Sequence, residues 1–162
     1  MDYITLNNRI KELFTEEWLT TSQKNIYTTI LNKFKTHKII NIFGEPGTGK
    51  TFLGWNIAKT MAASYTSNIE ETGLQNIVVL DNWSHKKQEV RNLIPTMHLK
   101  GINKLILITE KEVKDDIIRL ELLLTEDDKK IFKNNLWKNF DLKFDKEKKS
   151  DNLHSLIKQN LR

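Results

Sequence analysis

One stretch constrains this chain more than any other: Gly44-Glu45-Pro46-Gly47-Thr48-Gly49-Lys50-Thr51. It fills every fixed position of the spacing GxxxxGK[ST], the pattern of a loop that wraps phosphate groups. Its flanks fit the same reading. Lys38 to Phe43 is a short apolar run suited to a buried strand, and Phe52 to Lys59 reads as a helix. Gly44, Gly47 and Gly49 let the backbone bring several N–H groups close to one ligand. A helix starting near Gly49 aims its positive dipole end and its free N–H groups at the same point. Lys50 supplies a full positive charge for phosphates, and Thr51 offers a hydroxyl to Mg²⁺, a cation that prefers hard oxygen ligands.

The rest of the sequence predicts alternating strands and helices. Leu6–Phe14 reads as a helix, and a second helix, capped by Thr21 or Ser22, runs to about Thr36-His37. Residues 64–76 read as a loop with a short strand near Tyr65. Ile77-Val78-Val79-Leu80 ends in Asp81, and Lys104 to Thr109 is equally aliphatic; continuous apolar runs are what strands buried on both faces require. Between them, Ser84–Leu99 reads as a helix broken at Pro95. Glu112–Leu124 reads as a helix on Val113, Ile117, Leu120 and Leu124, with Asp115 and Asp116 near its first turn. Thr125 caps a further helix to Trp137, and the alternation in Phe140–Phe144 predicts an edge strand. A charged stretch from Asp145 to Asp151 precedes a short amphipathic helix or tail, Leu153–Leu161.

The expected fold class is three-layer α/β, with a mainly parallel central sheet flanked by helices. The expected division is N-terminal helices in residues 1–36, a core in 37–146, and a charged linker with a C-terminal helix or tail in 147–162. Ligands of such sheets sit at the carboxyl ends of the strands. The loop from Gly44, Asp81 and Thr109 all fall at those ends.

Composition narrows the function classes. At 162 residues the chain fits one domain, and with no cysteine it has neither disulfides nor thiolate metal sites nor a cysteine nucleophile. No apolar run reaches the ~18 residues that span a membrane. Met1-Asp2-Tyr3-Ile4 lacks the basic-then-apolar pattern of a secretory signal, so the expectation is a cytoplasmic protein. The net charge of +5 comes mostly from lysine. That excess admits a nucleic-acid partner, but a solvated lysine-rich surface, encoded by an AT-rich genome, is the favoured account.

The motif order resembles that of P-loop NTPases. Within them, GEPGTGKT, the aliphatic strand ending in Asp81 and the strand ending in Thr109 look like a minimal AAA+ or STAND ATPase core, a similarity covering roughly residues 19–110. The resemblance implies ATP and Mg²⁺ as ligands. Residues Gly44, Glu45, Pro46, Gly47, Thr48, Gly49, Lys50, Thr51 and Phe52 would bind the nucleotide, and Thr51 and Asp81 would hold the ion. It also implies a protein partner or a homo-oligomer. Gln23, in Leu19-Thr20-Thr21-Ser22-Gln23, resembles the glutamine that contacts adenine in superfamily-one helicases; the alternative is a solvent-facing residue in a capped first turn.

The catalytic residues by this resemblance are Lys50, Asp81, Thr109 and Glu110. Thr109 stands where AAA+ proteins place a polar sensor residue. Many AAA+ ATPases carry Glu directly after the Walker B Asp to polarise water, and here that position is Asn82. An amide orients water but takes no proton from it at neutral pH, which leaves Glu110 or Glu45 for that task. Arg91, on the helix after Asp81, and Arg119, on the helix after Thr109, are candidate arginine fingers or partners of surface acids such as Asp115 or Asp116. Trp18, Trp55, Trp83 and Trp137 read as core residues; Trp83 and His85 follow Asp81 closely enough to approach a ligand. The functional expectation is an ATPase or ATP-dependent switch acting on a protein or DNA partner. A small P-loop kinase and a non-hydrolysing nucleotide-binding protein are the alternatives.

Overall fold

A computed structural model describes residues 2–84, 89–142, 144 and 150–161. The elements in chain order are α1 (Tyr3–Leu13), α2 (Thr21–Lys33), β1 (Ile39–Phe43), α3 (Lys50–Thr60), β2 (Ser64–Thr66), β3 (Ile77–Leu80), α4 (Leu93–Leu99), β4 (Lys104–Thr109), β5 (Ile118–Glu121), α5 (Glu126–Phe140) and α6 (Leu153–Asn160). Three single 3-10 turns, Glu16–Trp18, Ile69–Glu71 and Val90–Asn92, connect them. The strands form one sheet in the order β2-β3-β4-β1-β5, and every pairing is parallel.

Period-two alternation divides the sheet's side chains between two apolar layers. Ile40, Ile42, Val79, Ile106 and Ile108 point into one, where residues of α1, α2, α3, α5 and α6 cover them. Val78, Leu80, Leu105 and Leu107 point into the other, covered by Leu93 and Met97 of α4 and by Trp83, Val90 and Ile102. Burial on both faces explains the unbroken aliphatic runs of β3 and β4. The fold is a three-layer α/β architecture with a parallel central sheet.

Several local expectations are overturned. There is no helix over 112–124. Val113 is buried in the α4-side layer, whereas Leu120 packs against the other, so the two share no helical face. Ile118 and Leu120 alternate with the more exposed Arg119 and Glu121 as strand β5, which pairs with β1 in the register Ile40↔Ile118 and Ile42↔Leu120. Asp115 and Asp116 therefore lie in a loop, with no helix dipole to favour them. Arg119 lies on this strand and pairs with Glu112 at 3.0 Å rather than with either aspartate.

The described residues of Phe140–Phe144 form no edge strand. Phe140 ends α5 with its ring edge-on to Trp18, and Asp141 reverses the chain at φ 52°. Residue 143 and the charged stretch at 145–149 lie outside the described residues. Of the expected 84–99 helix, residues 85–88 lie outside the described residues, Val90–Asn92 forms a 3-10 turn, and the α-helical part is α4. Pro95 is its third residue, in the first turn, where a missing N–H costs nothing, so it does not break the helix. Trp137 is 59% exposed rather than core.

Helix caps tie the layer of α2 and α5 together. Thr20, not Thr21 or Ser22, caps α2 in a reciprocal box with Gln23. Thr125 and Asp128 form the equivalent box on α5. The same Asp128 carboxylate reaches across to α2, accepting from Ser22 N at 3.0 Å and Ser22 Oγ at 2.6 Å. One buried carboxylate thus serves two helix starts. Burial alone would raise its pKa, but the bonds from Ser22 and Thr125 outweigh it and hold the carboxyl below its ordinary value.

Replacing Asp128 by Ala is expected to destabilise the fold by about 2–4 kcal/mol in urea unfolding, since four donors lose their acceptor. A carboxyl whose folded pKa is depressed stabilises fully above its unfolded value near ~4 and stops doing so as pH falls through the lowered folded value. The gap between wild type and Asp128→Ala should therefore be constant near neutrality and narrow below about pH 4.

Candidate functional site

The loop between β1 and α3 closes on its own lysine. Gly49 caps α3 at φ 94°, in the left-handed region. The positive φ favours glycine, and a Cβ there would lie 2.6 Å from Gln23 Nε2 and displace the end of that side chain. Lys50 opens the helix but its side chain folds back under the loop. Its ammonium donates to the Gly44 carbonyl at 2.6 Å and the Glu45 carbonyl at 2.9 Å, and the residue is only 8% exposed. Desolvation lowers the Lys50 pKa, while the charges of Glu110, Asp81 and Glu45 pull it back up. Two of three ammonium donors are thus used by backbone carbonyls. Thr48 closes the turn with its hydroxyl on the Glu45 carbonyl at 3.0 Å.

Asp81 follows β3 directly. Its Oδ2 accepts from Thr51 Oγ1 at 2.9 Å and from the Tyr65 hydroxyl, and its Oδ1 accepts from Asn82 N at 2.8 Å. Burial, then the hydrogen bond to Asp81 and its charge, push the Tyr65 pKa far up, so the phenol keeps its proton. Tyr65 comes from β2 and is set edge-on to Trp55 of α3. Asn82 takes the left-handed conformation, φ 56°, which asparagine tolerates, and is exposed. A hard-oxygen pair, the Thr51 hydroxyl and the Asp81 carboxylate, therefore sits at the start of α3.

The Thr109 hydroxyl at the end of β4 is engaged on both sides. It donates to the Lys111 carbonyl at 2.7 Å and accepts from Asn41 Nδ2 at 2.9 Å. Asn41 is a functional-site support that sequence reasoning missed. Fully buried in β1, it also donates to the Leu107 carbonyl at 3.1 Å and accepts from Val113 N at 3.0 Å. It thereby pins the loop carrying Glu110 to the sheet. The available signal was a single amide inside an otherwise aliphatic strand.

A cleft of about 1010 Å³ opens over these groups. Pro46, Gly47, Gly49, Lys50, Thr51 and Phe52 line it from the loop, Asp81 and Asn82 from β3, and Thr109 and the exposed Glu110 from β4. Gly44, Glu45, Thr48 and Gln23 are not in its wall; Gly44 and Glu45 act through their carbonyls, and Gln23 is packed behind the loop. Two walls were not foreseen. Tyr3 and Asn7 of α1 line it, as do Asn152, Leu153 and His154 at the start of α6. Leu153 N donates to the Gly47 carbonyl at 2.9 Å, and Tyr3 OH bonds His154 Nδ1 at 2.7 Å, so both terminal helices are fastened beside the loop. Nothing in the composition of 147–162 signals that contact.

Among the described residues no arginine lines the cleft. Arg91 lies in the 3-10 turn before α4 and pairs with Glu89, and Arg119 pairs with Glu112. Trp83 is buried in the α4-side layer and also borders the cleft. His85 lies outside the described residues. No group of three or more His, Cys, Asp or Glu suited to a metal occurs among the described residues, so a protein-only metal cage is not formed there. No helix among them is long and apolar enough to cross a membrane.

No protein-family model matches the sequence. No curated protein sequence matches it. Solved structures do match in shape. A DNA replication initiation factor superimposes with a TM-score of 0.63 at 15% identity, over 92% of this chain and 62% of that one. AMPPCP-bound DnaA from Aquifex aeolicus gives 0.61 at 16% identity, again over 92% of this chain and 62% of that one. The chain thus spans about three fifths of the length of each. At such identities the likeness concerns the fold: the chain has a P-loop NTPase fold resembling that of AAA+ initiator proteins.

Proposed function

We propose that the chain binds ATP with Mg²⁺ in this cleft and works as an ATPase or ATP-dependent switch on a protein or DNA partner. The observation that carries the reading is the meeting of Lys50, Thr51 and Asp81 at one end of a parallel sheet, with the Thr51 hydroxyl 2.9 Å from the Asp81 carboxylate. A buried ammonium and a loop of backbone N–H groups suit a polyphosphate. A single carboxylate and one hydroxyl suit Mg²⁺, which takes few protein ligands and completes its shell from phosphates and water. When bound, the ion would neutralise charge on the phosphates; Thr51 and Asp81 are the residues that would hold it. Tyr65 and Asn82 N orient the Asp81 carboxylate from behind.

The remaining site residues have distinct jobs in this reading. Lys50 neutralises the outer phosphates. Glu110, exposed at the cleft edge and close enough to act on Lys50 electrostatically, is the carboxylate that takes the proton of the attacking water, a task the amide of Asn82 does not perform. Thr109 keeps the Glu110 loop at its height through Asn41 and Lys111. Loss of contacts to the outermost phosphate after hydrolysis would alter the surface offered to a partner or to a second copy. The AMPPCP bound to the DnaA structure of similar fold is consistent with a triphosphate in such a cleft. A kinase reading is disfavoured by the lack of arginine in the cleft wall among the described residues. A binding protein that does not hydrolyse is favoured by one observation, Asn82 at the position where many AAA+ ATPases carry a carboxylate.

Calorimetric titration with MgATP is expected to show binding by wild type and a loss of roughly 10–100-fold in affinity for Lys50→Ala, the worth of a charge-assisted contact. Equal affinities would refute the assignment of the cleft. In single-turnover hydrolysis assays, Glu110→Gln should lower the rate by roughly 10²-fold while ATP affinity changes less than about threefold. Unchanged turnover would remove Glu110 from the reaction. Asp81→Asn should weaken ATP binding in Mg²⁺ but not in EDTA, a difference that a general folding defect would not produce.

A further inference from the structure

We infer that Gln23 is a positioning residue for the phosphate-binding backbone, acting from behind the loop rather than touching the base. The inference rests on the nucleotide reading of the cleft. Gln23 is 1% exposed, and its amide is engaged at both ends. Oε1 accepts from Thr20 N at 2.9 Å, which completes the α2 cap, and Nε2 donates to the Gly49 carbonyl at 3.0 Å. A capping box uses only the Oε1 of its glutamine. The second bond, across 26 residues of chain, is surplus to capping.

Its target determines what it does. The Gly49 carbonyl and the Lys50 N–H belong to one planar trans peptide and point in opposite directions. That carbonyl already accepts Leu53 N at 3.0 Å as the first link of α3. A second donor on it fixes the rotation of the whole peptide plane, and so keeps the Lys50 N–H directed out of the helix start into the cleft. As the first residue of α3, Lys50 has no carbonyl within the helix for that N–H, which leaves it for a ligand. Gly49 benefits from such a fixture, because a glycine at positive φ has an unusually free backbone.

The anchor behind Gln23 is itself rigid. Its own N–H lies against Thr20 Oγ1, and the adjacent Ser22 is held through both N and Oγ by buried Asp128. Two helix starts therefore back one peptide of the loop.

A base contact and a backbone-positioning role predict different losses. Gln23→Met keeps length and apolar packing but removes both the donor to Gly49 and the capping acceptor for Thr20 N, a stability loss that the Met97→Ala control separates from the loss of affinity. It is expected to weaken MgATP and Mg-tripolyphosphate, which carries no base, by the same factor of roughly five to ten, measured by calorimetry on protein shown to be folded by circular dichroism. Met97→Ala, in the layer on the opposite face of the sheet, serves as the stability control: it should lower the melting temperature and leave both affinities unchanged. A loss confined to MgATP would overturn the inference in favour of a base contact, and no loss for either ligand would overturn it outright. Wild-type protein that binds neither ligand would refute the nucleotide reading itself, and this inference with it.

Discussion

At Gly49 the chain must turn from a strand loop into a helix with a positive φ and with another side chain 2.6 Å from where a Cβ would be. The organisation of the cleft depends on that point. A side chain at Gly49 would strain this left-handed turn, from which Lys50 folds back onto the Gly44 and Glu45 carbonyls and Thr51 reaches Asp81. The parallel sheet supplies the remaining geometry. With β1, β3 and β4 running in one direction, their carboxyl ends deliver the loop, Asp81 and Thr109 to a common edge. Hydrophobic burial on both faces of the sheet fixes the strands, and three polar side chains set the loops above it: Asn41 on the Glu110 loop, Tyr65 on Asp81 and Gln23 on Gly49.

Those polar residues share a character. Asn41 and Gln23 are buried and Tyr65 is half-buried, and each bonds at least one group that sits on or next to the cleft. Buried amides and hydroxyls are tolerated only when satisfied, so each of them resists small rearrangements of the site more than an apolar residue would. The carboxylate-rich surroundings of Lys50 work similarly. They offset part of the cost of burying an ammonium, and a polyphosphate entering the proposed site would meet a cation already held by two backbone carbonyls.

Much of this was legible in the sequence. Local chemistry made the loop readable, because its glycines, lysine and threonine occupy fixed positions, and the aliphatic runs of β3 and β4 announced strands buried on both sides. Long-range pairing was not readable. Val113, Ile117, Leu120 and Leu124 satisfy a helical period, yet the sheet edge left by β1 captures Ile118–Glu121 as β5, and only tertiary structure decides between those outcomes. The role of Gln23 was hidden for the same reason: its cap partner is three residues away, but Gly49 is twenty-six. The seating of α6 against Gly47 through a single backbone bond at Leu153 left no mark on side-chain pattern.

The most direct test of the central claim is the response of individual backbone amides to MgATP, followed by ¹H–¹⁵N NMR. The account predicts that the amides of Gly47, Thr48, Gly49, Lys50 and Thr51 shift together and saturably, while those of α4 on the far face of the sheet stay in place. Binding that leaves the Gly47–Thr51 amides unmoved, or that perturbs the α4 face instead, would contradict it.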